Sequence, residues 1–147
     1  MRIGVRQIVR KVVLVSGYFD PLHVGHIEYL EKSKALGDYL VVIINNDEQA
    51  KLKKGRPFMS QEDRLTIVSS LRCVDNAEMS IDTDASVCKT IELFARNATT
   101  VEIIFANGGD RKEGEIPEAE VCRRLGVEMY DGLGEKIRSS SEYTGLK

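Results

Sequence analysis

The sequence predicts an α/β domain: one doubly wound, five-stranded parallel sheet with helices on both faces. Two observations carry this. Short apolar, β-branched runs alternate with stretches of helical period from about residue 11 to residue 130. Such alternation, joined by short loops, implies right-handed βαβ units and one parallel sheet. In addition, glycine- or serine-rich turns follow the first, fourth and fifth apolar runs. In a parallel sheet those turns gather at the carboxyl edge, where ligands bind.

The elements follow in order. Residues 1–10 carry Ile3, Val5, Ile8 and Val9 and read as an extended arm or short helix suited to packing on a second subunit. Residues 11–17 form the first strand, on the run Val12, Val13, Leu14, Val15. A tight turn at Gly17 and the breaker Asp20-Pro21 follow, then a helix over roughly 24–36 with Gly37 as its C-cap. Residues 38–45, DYLVVIIN, are a buried second strand, apolar on both faces as a covered parallel sheet requires. Residues 46–59 read as a polar connection carrying Lys51, Lys53, Lys54 and Arg56. A capping-box-like Ser60-Gln61-Glu62-Asp63 opens a helix running to about Ser70, and a third strand lies within 72–79. Asp84 or Ser86 caps a helix reaching about Ala98, with Val87, Ile91, Leu93 and Phe94 on its buried side. Residues 100–106 are the fourth strand, ending in the turn Asn107-Gly108-Gly109-Asp110-Arg111. Pro117 marks a helix N1 position and Gly126 that helix's end. A short fifth strand covers 127–130, then a glycine loop at 132–134, and Ser139-Ser140-Ser141 opens a final short helix. The architecture is a Rossmann-like doubly wound fold.

Composition bounds the function. The 147 residues suit one domain spanning 1–147 and are too few for two ordinary ones. The net charge of −2 supplies no global basic field for nucleic acid, and no aromatic stands within the Lys51–Arg56 cluster. The apolar run at 40–44 is far too short to span a membrane. The N-terminus has basic residues without an apolar h-region, so no signal peptide is read and a cytoplasmic location is expected. Cys73, Cys88 and Cys122 are odd in number and widely spaced, and read as reduced structural thiols.

The chemistry concentrates in GYFDPLHVGH, residues 17–26. A strand end followed by a helix start favours negative charge through unpaired N–H groups and the helix dipole. His23 and His26 can donate to phosphate oxygens there, and Gly25 between them lets a phosphate approach the backbone. Metal ligation by the two histidines is the weaker alternative: the chain has no third histidine and no cysteine pair at ligand spacing, so no metal site is expected.

This stretch resembles the HxGH signature of the nucleotidyltransferase superfamily, the cytidylyltransferase-like enzymes. From Gly17 to Asp75 the chain is similar to glycerol-3-phosphate cytidylyltransferases without a gap. Its second half looks more like the adenylyltransferase domain that activates heptose 1-phosphate. The resemblance implies that His23, His26 and Lys53 act on the phosphates and that Gly17, Tyr18, Phe19, Asp20 and Gly25 line the nucleotide. It further implies that Gly109 and Asp110 serve the ribose side, that Ser139 and Ser140, with Ser141, hold phosphates, and that Asp47 and Arg72 serve the substrate. The family's triplet follows an isoleucine, where this chain has Arg138. An arginine four places before that position is replaced by Gly134, leaving Lys136 or Arg138 as the available cation. CTP and ATP both stay open. The implied activity is transfer of a nucleoside monophosphate to a small phosphorylated sugar or polyol, with Mg²⁺ arriving on the nucleotide and a homodimer as the assembly. The rival classes are a regulatory module that binds nucleotide without turnover and, more weakly, a nucleic-acid-binding domain.

Overall fold

The structure is a computed structural model that describes residues 8–108 and 117–133. Its elements are β1 (Lys11–Gly17), α1 (Val24–Lys34), β2 (Tyr39–Ile44), α2 (Asp47–Lys54), α3 (Gln61–Ser69), β3 (Asn76–Met79), α4 (Cys88–Asn97), β4 (Glu102–Gly108), α5 (Glu118–Leu125) and β5 (Glu128–Leu133). The five strands form one parallel sheet in the order β3-β2-β1-β4-β5.

The apolar runs explain the layers. Successive strand residues point to opposite faces. Val12, Leu14, Val41, Ile43, Ile103 and Phe105 pack on one face against Ile91 of α4 and Ala119, Val121 and Cys122 of α5. Val13, Val15, Leu40, Val42 and Ile44 pack on the other against Leu30 of α1 and Val68 of α3. With both faces covered, Val12–Val15 of β1 and Leu40–Ile44 of β2 are all apolar, which is why neither run alternates with polar residues.

The chain winds outward from β1 through β2 to β3, then returns to place β4 on the other side of β1. The carboxyl ends of β1 and β4 therefore flank the crevice where the strand order reverses, the usual ligand position in an open α/β sheet. Across that crevice the Tyr29 hydroxyl donates to the Ala106 carbonyl at 2.7 Å, tying α1 to β4. Burial holds the Tyr29 phenol well above its ordinary pKa.

Several local expectations change. The segment 46–59 holds helix α2 rather than a plain connection. Asn46 and Gln49 form a reciprocal capping box, Asn46 Oδ1 accepting from Gln49 N at 2.9 Å and Gln49 Oε1 accepting from Asn46 N at 3.0 Å. Gly37 is not a C-cap: α1 closes at Ala35 in right-handed conformation. Gly37 is needed for space, since a Cβ there would lie 2.8 Å from the Lys11 carbonyl oxygen. At the α4 N-terminus Val87 takes the cap position; the Asp82 carboxylate accepts from Lys89 N at 2.7 Å and Thr90 N at 3.0 Å, and Ser86 Oγ accepts from Cys88 N at 3.3 Å. The third strand begins only at Asn76, because residues 71–75 turn. Strand β4 continues through Asn107 and Gly108, and β5 runs on to Leu133. Pro117 stands at the N-cap of α5, and Gly126 ends that helix in left-handed conformation with φ 74°. Among the described residues no helix is long and apolar enough to cross a membrane.

Candidate active site

The site begins where β1 stops. Phe19 takes a left-handed φ of 51°, a conformation that costs a bulky side chain on the order of 1 kcal/mol or more. What holds it is burial: the ring is 2 % exposed and lies over Gly17. A Cβ on Gly17 would stand 2.8 Å from Phe19 Cζ, so the glycine is there to admit the ring. The same ring meets His26 edge-on, with centroids 4.9 Å apart. The turn continues through a cis Asp20–Pro21 peptide bond into α1.

The two histidines build the start of α1. His23 is the N-cap, its Nδ1 accepting from Gly25 N at 3.1 Å. His26, at the third helical position, accepts from His23 N through its own Nδ1 at 3.2 Å. This is a capping box made of two imidazoles. The reciprocal bonds decide the tautomer, because a neutral imidazole that accepts at Nδ1 carries its proton on Nε2. Each ring thus directs an Nε2–H away from the helix backbone. The rings stack at 3.8 Å with 23° between planes, so the two donors form one unit. They sit at the positive end of an 11-residue helix with no acidic side chain in its first turn.

Behind them lies a buried polar frame. Asp20 is fully buried, and its carboxylate accepts from Phe58 N at 2.8 Å and Met59 N at 2.7 Å. Arg64, on α3, is also fully buried. It donates to the carbonyls of Tyr18 (2.8 Å), Asn45 (2.7 Å) and Met59 (3.1 Å), and to Asp47 Oδ1 at 2.8 Å. The loop after α2 is thereby fastened to the histidine turn twice. On α2, the Lys53 ammonium stands 4.5 Å from the centroid of the Tyr18 ring, a cation–π contact at the turn.

The structure thus brings together Gly17, Tyr18, Phe19, Asp20, His23, Gly25, His26 and Lys53. Asp47 is near this group, but its carboxylate is paired with Arg64. Arg72 is not brought to it. It lies in the turn before β3, three residues ahead of Asp75, whose carboxylate accepts from Leu40 N at 2.8 Å near the start of β2. That is the amino edge of the sheet, opposite the histidines. Gly109, Asp110, Arg138, Ser139 and Ser140, with Lys136 and Ser141, lie outside the described residues.

Arg64 was not anticipated from sequence. The only hint was its spacing, since Arg64 and Val68 share the buried face of α3. Lys51 is already paired with Glu48 at 3.1 Å. Burial raises the Cys73 and Cys88 thiols, which keeps them protonated. Among the described residues no cluster of three His, Cys, Asp or Glu side chains is placed to hold a metal ion. The nearby carboxylates of Asp20 and Asp47 bind backbone N–H groups and a guanidinium instead.

Comparison with known proteins agrees with this geometry. The family model described as cytidylyltransferase-like matches residues 14–128. The bifunctional protein HldE of Wolinella succinogenes is 50 % identical over 127 residues, covering 84 % of this chain and 25 % of that protein. HldE of Citrifermentans bemidjiense is 37 % identical over 143 residues, covering 89 % of this chain and 28 % of that protein. The chain therefore spans about a quarter of the length of these relatives. The crystal structure of the lipopolysaccharide core biosynthesis protein from Thermoplasma volcanium GSS1 superposes with a TM-score of 0.68 at 30 % identity, covering 86 % of this chain and 98 % of that one. With its match running from β1 into β5 and the paired histidines at the switch-point crevice, this chain belongs to the cytidylyltransferase-like family of nucleotidyltransferases.

Proposed function

We propose that this domain transfers a nucleoside monophosphate from CTP or ATP to a small phosphorylated sugar or polyol and releases pyrophosphate. The observation that carries this is the stacked pair of Nδ1-accepting histidines at the α1 N-terminus. An oxygen of the acceptor's phosphate attacks the α-phosphorus while the bond to the pyrophosphate oxygen breaks. Negative charge grows on the oxygens in flight. Fixed donors aimed at those oxygens lower the barrier without reorganising, and no side-chain nucleophile is required. His23 and His26 supply Nε2–H donors and Lys53 a full positive charge. Mg²⁺ enters with the nucleotide, bound by its phosphates, since the carboxylates of Asp20 and Asp47 beside the histidine turn are engaged within the protein.

Of the two nucleotides, ATP is favoured by the likeness of the second half to the heptose 1-phosphate adenylyltransferase domain. Asp110 then serves the ribose and Ser139 and Ser140 the phosphates, as that likeness implies. A cytoplasmic setting follows from these substrates, and a homodimer from the apolar N-terminal arm; sedimentation at high concentration showing only monomer would overturn the latter.

The test is pyrophosphate release from ATP and from CTP across a panel of sugar 1-phosphates and polyol phosphates. Release with one pair supports the reading. Nucleotide binding by thermal shift, with no release across the panel, would favour a binding module without turnover.

A further inference from the structure

Helix α2 has little to hold it by apolar packing. Gln49 and Ala50 are fully buried, while Lys51, Leu52 and Lys53 are exposed. Its placement therefore depends on polar ties. At its start, Asn46 Nδ2 donates to the carbonyls of Ser80 and Asp82, both at 3.0 Å, and Gln49 Nε2 donates to those of Asp84 and Ser86 at 2.7 and 2.8 Å. These bonds fix the helix to the loop after β3. Toward the frame of the histidine turn, Asp47 Oδ1 accepts from Arg64 Nη2 at 2.8 Å, and Asp47 N donates to Gln61 Oε1 of α3 at 2.8 Å. The same guanidinium grips Tyr18, whose ring lies under the Lys53 ammonium.

We propose that the Asp47–Arg64 pair is a positioning device, which sets α2, and through it Lys53, against the histidine turn; Asp47 is not a substrate ligand. This rests on the phosphate-binding role of Lys53 proposed above. A planar guanidinium with donors in a fixed fork transmits orientation better than a point charge would. The lever is favourable. Asp47 and Lys53 are six residues apart, about 9 Å along the helix, so a tilt of about 6° at Asp47 moves the Lys53 backbone by about 1 Å. A displacement of that size is enough to degrade a positioned contact.

The test is a double-mutant cycle on the full chain, read as the Kd for MgATP and for MgCTP by titration calorimetry. Asp47→Asn keeps the size and one oxygen and removes the charge. Lys53→Ala should weaken binding about tenfold, the scale of one charge-assisted hydrogen bond. Asp47→Asn should weaken it about fivefold in the parent chain but less than about twofold in the Lys53→Ala background, because it acts through that lysine. A purely structural role would lower the melting temperature without this coupling. Multiplicative losses, or no loss from Asp47→Asn, would overturn the proposal while leaving the role of Lys53 intact. No loss from Lys53→Ala would remove the underlying reading as well. Should Asp47→Asn not fold, Arg64→Lys takes its place in the cycle, keeping the charge but losing the fork, with the same outcomes.

Discussion

Replacing Arg64 by methionine isolates the energetics of the buried frame. Methionine retains most of the apolar stem but none of the donors. Four hydrogen bonds are lost, three to backbone carbonyls and one to a carboxylate. The Asp47 side chain is 31 % exposed and regains water, so its share is small. The carbonyls of Tyr18, Asn45 and Met59 converge on a site where Arg64 is 0 % exposed, and there the donors are not readily replaced. Three stranded acceptors at about 1–1.5 kcal/mol each give a cost of about 3–5 kcal/mol. For a domain of this size that lowers Tm by roughly 6–20 °C. Urea unfolding followed by far-UV circular dichroism measures it, with the m-value as the check that the unfolded reference has not changed. A loss below about 1 kcal/mol at unchanged m would refute the claim that this guanidinium holds the turn together.

The site predicts three further results. Gly17→Ala forces the Phe19 ring off its seat and toward His26; it should destabilise by about 1–3 kcal/mol, and turnover should fall, as chemical denaturation and pyrophosphate release would show. Lys53→Ala should cut kcat/KM far more than Lys51→Ala, and should stay slow at high salt, whereas the Lys51 effect is screened; equal losses would mean that the loop acts as a diffuse field. Long-range ¹H–¹⁵N spectra of the neutral protein should show both imidazoles protonated at Nε2, and an Nδ1–H signal for either would contradict the imidazole capping box.

The sheet was legible because its strands are buried on both faces. Val12–Val15 and Leu40–Ile44 can be read as core strands without any long-range information. The histidine turn was legible because glycine, proline and helix-start signals coincide within ten residues. Helix α2 was not, since its stabilising bonds are polar and reach a loop some 35 residues downstream, which hydrophobic period cannot register. Its Asn46–Gln49 capping box was present in the sequence but hidden within a charged stretch. Arg64 looks like a solvated helix residue until the fold closes over it. The place of Arg72 follows from topology. In a parallel sheet each crossover returns the chain to the amino edge, so a residue just before a strand lies opposite a ligand site at the strand ends. Linear register with a family motif does not carry that information, although the order of elements does.

The role proposed for the histidine pair is to stabilise charge on the transferring phosphate, and His26→Gln removes one of its two donors. Glutamine is a natural capping-box residue at this helical position, so its side-chain oxygen can still accept from His23 N while the imidazole Nε2–H is lost. The measurement is steady-state pyrophosphate release from the nucleotide and acceptor that serve the parent chain, with circular dichroism to confirm the fold. The expected kcat is lower by at least roughly a hundredfold, the scale of losing one preorganised donor, with the fold intact. A folded His26→Gln protein that turns over within a few-fold of the parent rate would contradict it.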